Sequence, residues 1–94
     1  MAEDWKLSRL HDGYDWSLTN TSGKVARDVY IEFQGVVDGR RWREGVTPSR
    51  SLRAIGEVQP YQTVQINIDS SDTVDKVTVY WRSRLRRKTW ETTA

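Results

Sequence analysis

Few residues in this sequence are equipped for chemistry. There is one histidine, His11 beside Asp12, and no cysteine. Without cysteine no disulfide, thiolate nucleophile or cysteine-ligated zinc or iron–sulfur site can form. A serine triad would need His11 near a nucleophile on a strained elbow, and no Gly-x-Ser-x-Gly occurs. The 13 carboxylates offer pairs for acid–base work, yet none lies in an apolar stretch that would raise its pKa. Asp69-Ser70-Ser71-Asp72-Thr73-Val74-Asp75 spaces acids at every third position, and hard cations such as calcium favour clustered oxygens on loops. It lacks the EF-hand spacing and glycine, and side-chain capping of a turn accounts for the same residues. Asn20-Thr21-Ser22 matches the glycosylation sequon. No glycine loop that could cradle a phosphate is present. The expectation is a protein that is not an enzyme and takes no cofactor and no metal.

Binding chemistry is better represented, in two basic and aromatic clusters. Arg40, Arg41 and Arg43 surround Trp42, a grouping ordinary at an interface and odd inside a small core. Further on, Tyr80-Trp81-Arg82-Ser83-Arg84-Leu85-Arg86-Arg87-Lys88-Thr89-Trp90 interleaves aromatics with cations, as single-strand nucleic-acid binders do. Residues 76–88 hold six basic side chains and no acid. The bland reading is a solubilising edge that discourages strand-to-strand aggregation. The candidate partner-binding residues are thus Arg40, Arg41, Trp42, Arg43, Arg84, Arg86 and Arg87.

Strands must position these groups, because period-2 alternation dominates and no stretch shows helical spacing. Trp5 and Leu7 alternate, Asp12-Gly13 suits a tight hairpin turn, and Tyr14, Trp16 and Leu18 alternate beyond it. Asn20-Thr21-Ser22-Gly23 is a turn cluster. Val29, Ile31 and Phe33 form the apolar face of a third strand, with Gly35 as a bulge or bend where it leaves the sheet. Residues 36–42 read as a short ribbon around Asp38-Gly39, and residues 43–50 as a loop. An edge strand over 51–55 and a corner over 56–62 follow, since Pro60 cannot donate to a ladder. Val64, Ile66 and Ile68 alternate next, and Asp69 to Asp72 turn the chain. Val77, Val79 and Trp81 share one face, which makes Trp81 core, opposite Thr78, Tyr80 and Arg82. A return strand over 88–92 carries Trp90. About seven strands at spacings near ten residues are the pattern of a β-sandwich.

The whole fits one domain over residues 1–94. A chain of 94 residues buries only about 60–65% of its unfolded surface, too little for a cleft between subdomains. It is 36% hydrophobic and 30% charged, with a mean hydropathy of -0.76. No apolar run approaches the roughly 18 residues of a membrane span, and Met1-Ala2-Glu3-Asp4 is acidic where a signal peptide is basic. A soluble protein, cytoplasmic as synthesised and without membrane contact, is expected. The net charge of +2 hides an asymmetry: residues 1–35 carry 4 basic and 6 acidic side chains, the remainder 11 and 7. Arginine outnumbers lysine 11 to 4, which favours planar contacts with carboxylates or phosphates.

Leu18-Thr19-Asn20-Thr21-Ser22-Gly23 with Ala26-Arg27-Asp28-Val29-Tyr30-Ile31, then Ile55-Gly56-Glu57-Val58-Gln59-Pro60 before Val64-Gln65-Ile66, then Val77-Thr78-Val79-Tyr80-Trp81, resemble the strand sequences of small bacterial immunoglobulin-like sandwiches. The opening Trp5-Lys6-Leu7-Ser8-Arg9-Leu10-His11 resembles the start of short immunoglobulin-like proteins of actinobacteria and their phages. Tyr61 departs from the pattern, since such modules place Gly after the proline, which implies a corner built differently. The resemblance implies a single immunoglobulin-like β-sandwich of about seven antiparallel strands, with Trp81 packed without the antibody-type disulfide. It also implies a role in adhesion, recognition or, in phages, decoration of the virion. The expected function is a protein–protein interaction module docking on a larger assembly such as a phage virion, or on its own copies. The alternative is a non-specific nucleic-acid-binding protein acting through the basic C-terminal hairpin.

Overall fold

The computed structural model describes residues 3–9, 15–37, 40–41, 52–67 and 73–93, with residues 37, 40 and 41 as backbone only. Residues 1–2, 10–14, 38–39, 42–51, 68–72 and 94 lie outside it, and with them His11, Trp42, Arg43, Ile68, the Asp12-Gly13 and Asp38-Gly39 turns, the loop over 43–50 and most of the acidic loop. The alternating sequence forms eight strands among the described residues: β1 (Trp5–Arg9), β2 (Asp15–Asn20), β3 (Ala26–Val37), β4 (Arg40–Arg41), β5 (Leu52–Val58), β6 (Thr63–Asn67), β7 (Thr73–Ser83) and β8 (Arg86–Thr93). No described helix is long and apolar enough to cross a membrane.

Every pairing is antiparallel, and the strands form two sheets. The smaller has the order β1-β2-β6. In the larger, β3 is flanked on one side by β7 and then β8. On the other side β4 pairs with Val36 and Val37 and β5 with the stretch from Ala26 to Glu32, so the two share one edge. The inner faces meet in one core: Trp5, Trp16, Leu18 and Ile66 from the small sheet against Val29, Ile31, Phe33, Val77, Val79 and Trp81 from the large one. Two aromatic contacts bridge the sheets. Trp5 meets Trp81 edge-on, with centroids 5.5 Å apart, and Trp16 meets Phe33 at 5.9 Å. Trp81 is therefore core, as its parity requires, while Gln65 and Tyr80 face solvent.

Five local expectations are corrected. β5 runs on to Val58 instead of stopping at residue 55, because Gly56, at φ +92°, is absorbed in an irregular register with β3. The corner shrinks to residues 59–62, where Gln62 N–H donates to Gln59 C=O at 3.1 Å. Tyr61 there takes φ +62°, the value a glycine would adopt two places into such a turn. The corner is thus not built differently, as Tyr61 had implied, but is the glycine kind of turn with a tyrosine in the glycine conformation. The return strand begins at Arg86, since a two-residue loop, Arg84-Leu85, suffices to reverse the chain. Gly35 does sit at a bulge, but the extra residue is Asp75 of β7, and β3 continues past it.

Candidate interaction surface

The outer face of the larger sheet carries a set of side chains that alternation assigns to solvent. Residues directly opposite across a ladder share a face. One row is therefore Ala54, Tyr30, Tyr80 and Thr89, and the next is Leu52, Glu32, Thr78 and Glu91. Tyr30, Tyr80 and Leu52 are exposed, three of the large apolar side chains left in solvent. Glu32 Oε1 accepts from Tyr80 Oη at 3.1 Å and from Gln34 Nε2 at 2.9 Å. Gln34 Nε2 also reaches Thr78 Oγ1 at 3.2 Å. That cover leaves Thr78 only 2% exposed although it points outward with the polar parity. Partial burial, with the Glu32 and Glu91 carboxylates nearby, raises the Tyr80 phenol above its ordinary pKa.

Toward the β7–β8 turn the face becomes basic. Asp28 and Val29 together oppose Trp81, a bulge in which Asp28 takes φ +50°. This aims the Asp28 carboxylate at Arg82, 2.7 Å away. Tyr30, Tyr80, Asp28, Arg82, Arg87 and Lys88 line an open cleft of about 420 Å³. Beyond it, Arg84 at φ +57° and Leu85 form the turn, and Leu85 is 98% exposed. Of the six cations between residues 76 and 88, Lys76 pairs with Glu91 at 3.1 Å and Arg82 with Asp28. Arg84, Arg86, Arg87 and Lys88 are exposed and have no ion-pair partner among the described residues.

The candidate residues do not form one patch. Arg84, Arg86 and Arg87 cluster at the end of the sheet where Arg27 of β3 meets Arg82. Arg40 and Arg41 pair with Val37 and Val36 at the other end, roughly 30 Å away along the strand. Arg86 and Arg87 lie on β8 and only Arg84 is in the turn itself. Tyr80 belongs to the aromatic and basic run 80–90 read from the sequence, whereas Tyr30 and Leu52 belong to neither basic and aromatic cluster. Their signal is an aromatic or aliphatic residue at a solvent-parity position of a strand. The sequon asparagine is fully buried, its side chain bonded to Lys24 C=O, Val58 C=O and Ser22, so it offers no amide to a glycan in the folded protein. No three metal-ligating side chains come together among the described residues. No family model, curated protein or solved structure matches this chain.

Proposed function

We propose that this chain is an immunoglobulin-like sandwich serving as a non-catalytic docking module on a larger assembly, with the β7–β8 hairpin and adjoining sheet face as its contact. The order β1-β2-β6 against β5-β3-β7-β8 supports the fold assignment, since immunoglobulin-like sandwiches set strands A, B and E against C, F and G with C′ outside C. Leu85 carries the functional reading. A leucine 98% exposed at a tight turn, among four cations without acidic partners, suits an apolar pocket in an acidic protein surface. The likeness to actinophage proteins makes a virion the first assembly to test.

A nucleic-acid reading has one observation in its favour, the exposed pair Tyr30 and Tyr80 beside Arg82, a place for bases to stack. Asp28, Glu32 and Glu91 share that face and repel phosphates, so the protein reading stands ahead. Replacing Arg84, Arg86 and Arg87 together by Gln should slow association with the assembly and flatten its salt dependence. The fold should survive, because exposed charges contribute little to it. A sub-micromolar, sequence-selective complex with DNA or RNA at about 0.15 M salt would overturn the proposal.

A further inference from the structure

The four sheet edges of the sandwich are not equally protected. β1 and β6 have five residues each, and β5 is interrupted by register shifts around Gly56. β8 instead follows β7 without a break over eight residues. Proteins blunt such an edge with proline, a bulge or charge along its length. β8 has neither proline nor bulge, and its cations end at Lys88. The rest, Thr89-Trp90-Glu91-Thr92-Thr93, is mostly of strand-forming type.

The hairpin determines which backbone groups are free. In a two-residue turn the C=O of Ser83 accepts from the N–H of Arg86, so that pair is hydrogen-bonded. Alternation along an antiparallel ladder then turns the N–H and C=O of Arg87, Thr89, Glu91 and Thr93 away from β7. An added strand must pair through these four residues. Arg87 has no ion-pair partner among the described residues, and Glu91 is bound on one side only, by Lys76.

We infer that β8 pairs antiparallel with β8 of a second copy about a two-fold axis at Thr89. This register sets Thr89 against Thr89 and Arg87 against Glu91 of the second copy, twice over, with Lys88 beside Trp90. The neighbouring allowed registers lose both ion pairs: centred on Lys88 they oppose two lysines, and centred on Trp90 they leave Arg87 and Glu91 facing threonines. Charge complementarity thus selects one register, and cations that would repel an arbitrary strand attract this one. The inference shares Arg87 with the docking reading but rests on the β8 edge, not on the Leu85 turn, and Thr89→Pro tells the two apart.

The test is sedimentation of the full chain from about 1 µM to about 1 mM, the range in which weak self-association is visible. A reversible dimer is expected. Arg87→Glu and Glu91→Arg should each weaken it about 10-fold or more, and the double exchange should restore it to within about threefold. Thr89→Pro removes an outward N–H without touching the β7 ladder and should abolish the dimer. Near-UV circular dichroism confirms that each variant is folded, and Glu91→Gln replaces Glu91→Arg if Lys76 does not tolerate a neighbouring cation. A chain monomeric throughout, a dimer indifferent to Thr89→Pro, or a folded double exchange that fails to rescue overturns the inference. The Thr89→Pro outcome leaves binding of a different protein at the Leu85 turn untouched, so failure of the dimer and failure of the docking reading are distinguishable.

Discussion

Asn20 does more structural work than its place in a turn suggests. Its amide donates to Lys24 C=O at 2.7 Å and Val58 C=O at 3.3 Å, and its carbonyl oxygen accepts from Ser22 N–H and Oγ. Its backbone meets Gln62 and Tyr61. One residue therefore ties the end of β2 to the end of β5 through its side chain and to the corner before β6 through its backbone. Asn20→Ala would take the side-chain donor from Val58 C=O and leave Lys24 C=O with only the Ser22 hydroxyl, with an expected loss of about 2–4 kcal/mol and a fall in Tm of roughly 10–20 °C. Tyr80 offers a second residue-scale measurement. A phenol whose pKa is raised on folding contributes stability that is fully present below the unfolded value of about 10 and lost as pH rises through the folded one. Tyr80→Phe should remove the late component of the alkaline titration at the phenolate absorbance band and flatten the decline of Tm above about pH 10.

At the scale of elements the bulges matter most. A Cβ at Gly35, where φ is +143°, would lie 2.2 Å from Thr73 O and 2.9 Å from Asp75 N. Backbone atoms cannot swing aside, so Gly35→Ala should cost about 2–3 kcal/mol or more in a denaturation experiment. The same bulges explain what was legible in the sequence. Strand identity, the burial of Ile66, Val79 and Trp81, and the basic hairpin follow from alternation. Ala26 and Val74 do not, because each lies across a one-residue insertion, at Asp28 and at Asp75, that flips the parity of the strand. Both are buried, though on parity with Val29 and Val77 each would face solvent. Gly56 misled in the opposite sense, since an edge strand tolerates a glycine that would break a central one. Alternation did turn the outer-face tyrosines to solvent, but it describes only which way a side chain points and says nothing of what its neighbours build around it, such as the Glu32 carboxylate that accepts from Tyr80.

For the whole molecule, stability rests on a single layer of side chains between two sheets. Trp81→Ala empties a large aromatic site in this layer and should cost about 3–5 kcal/mol, a large share of the 5–15 kcal/mol typical of a domain. The main pairing joins residues far apart in the chain, such as Ile31 with Val79, so refolding should take milliseconds to seconds. The edge-on meeting of Trp5 and Trp81 also gives the molecule a built-in optical clock. Two indoles this close and nearly perpendicular, at 78°, couple their electronic transitions into a paired band of opposite signs in circular dichroism. That band develops only when the sheets dock, whereas the peptide signal develops as each sheet zips. Following both in one stopped-flow trace orders the two events without any label, and Trp5→Phe should erase the first signal while leaving the second.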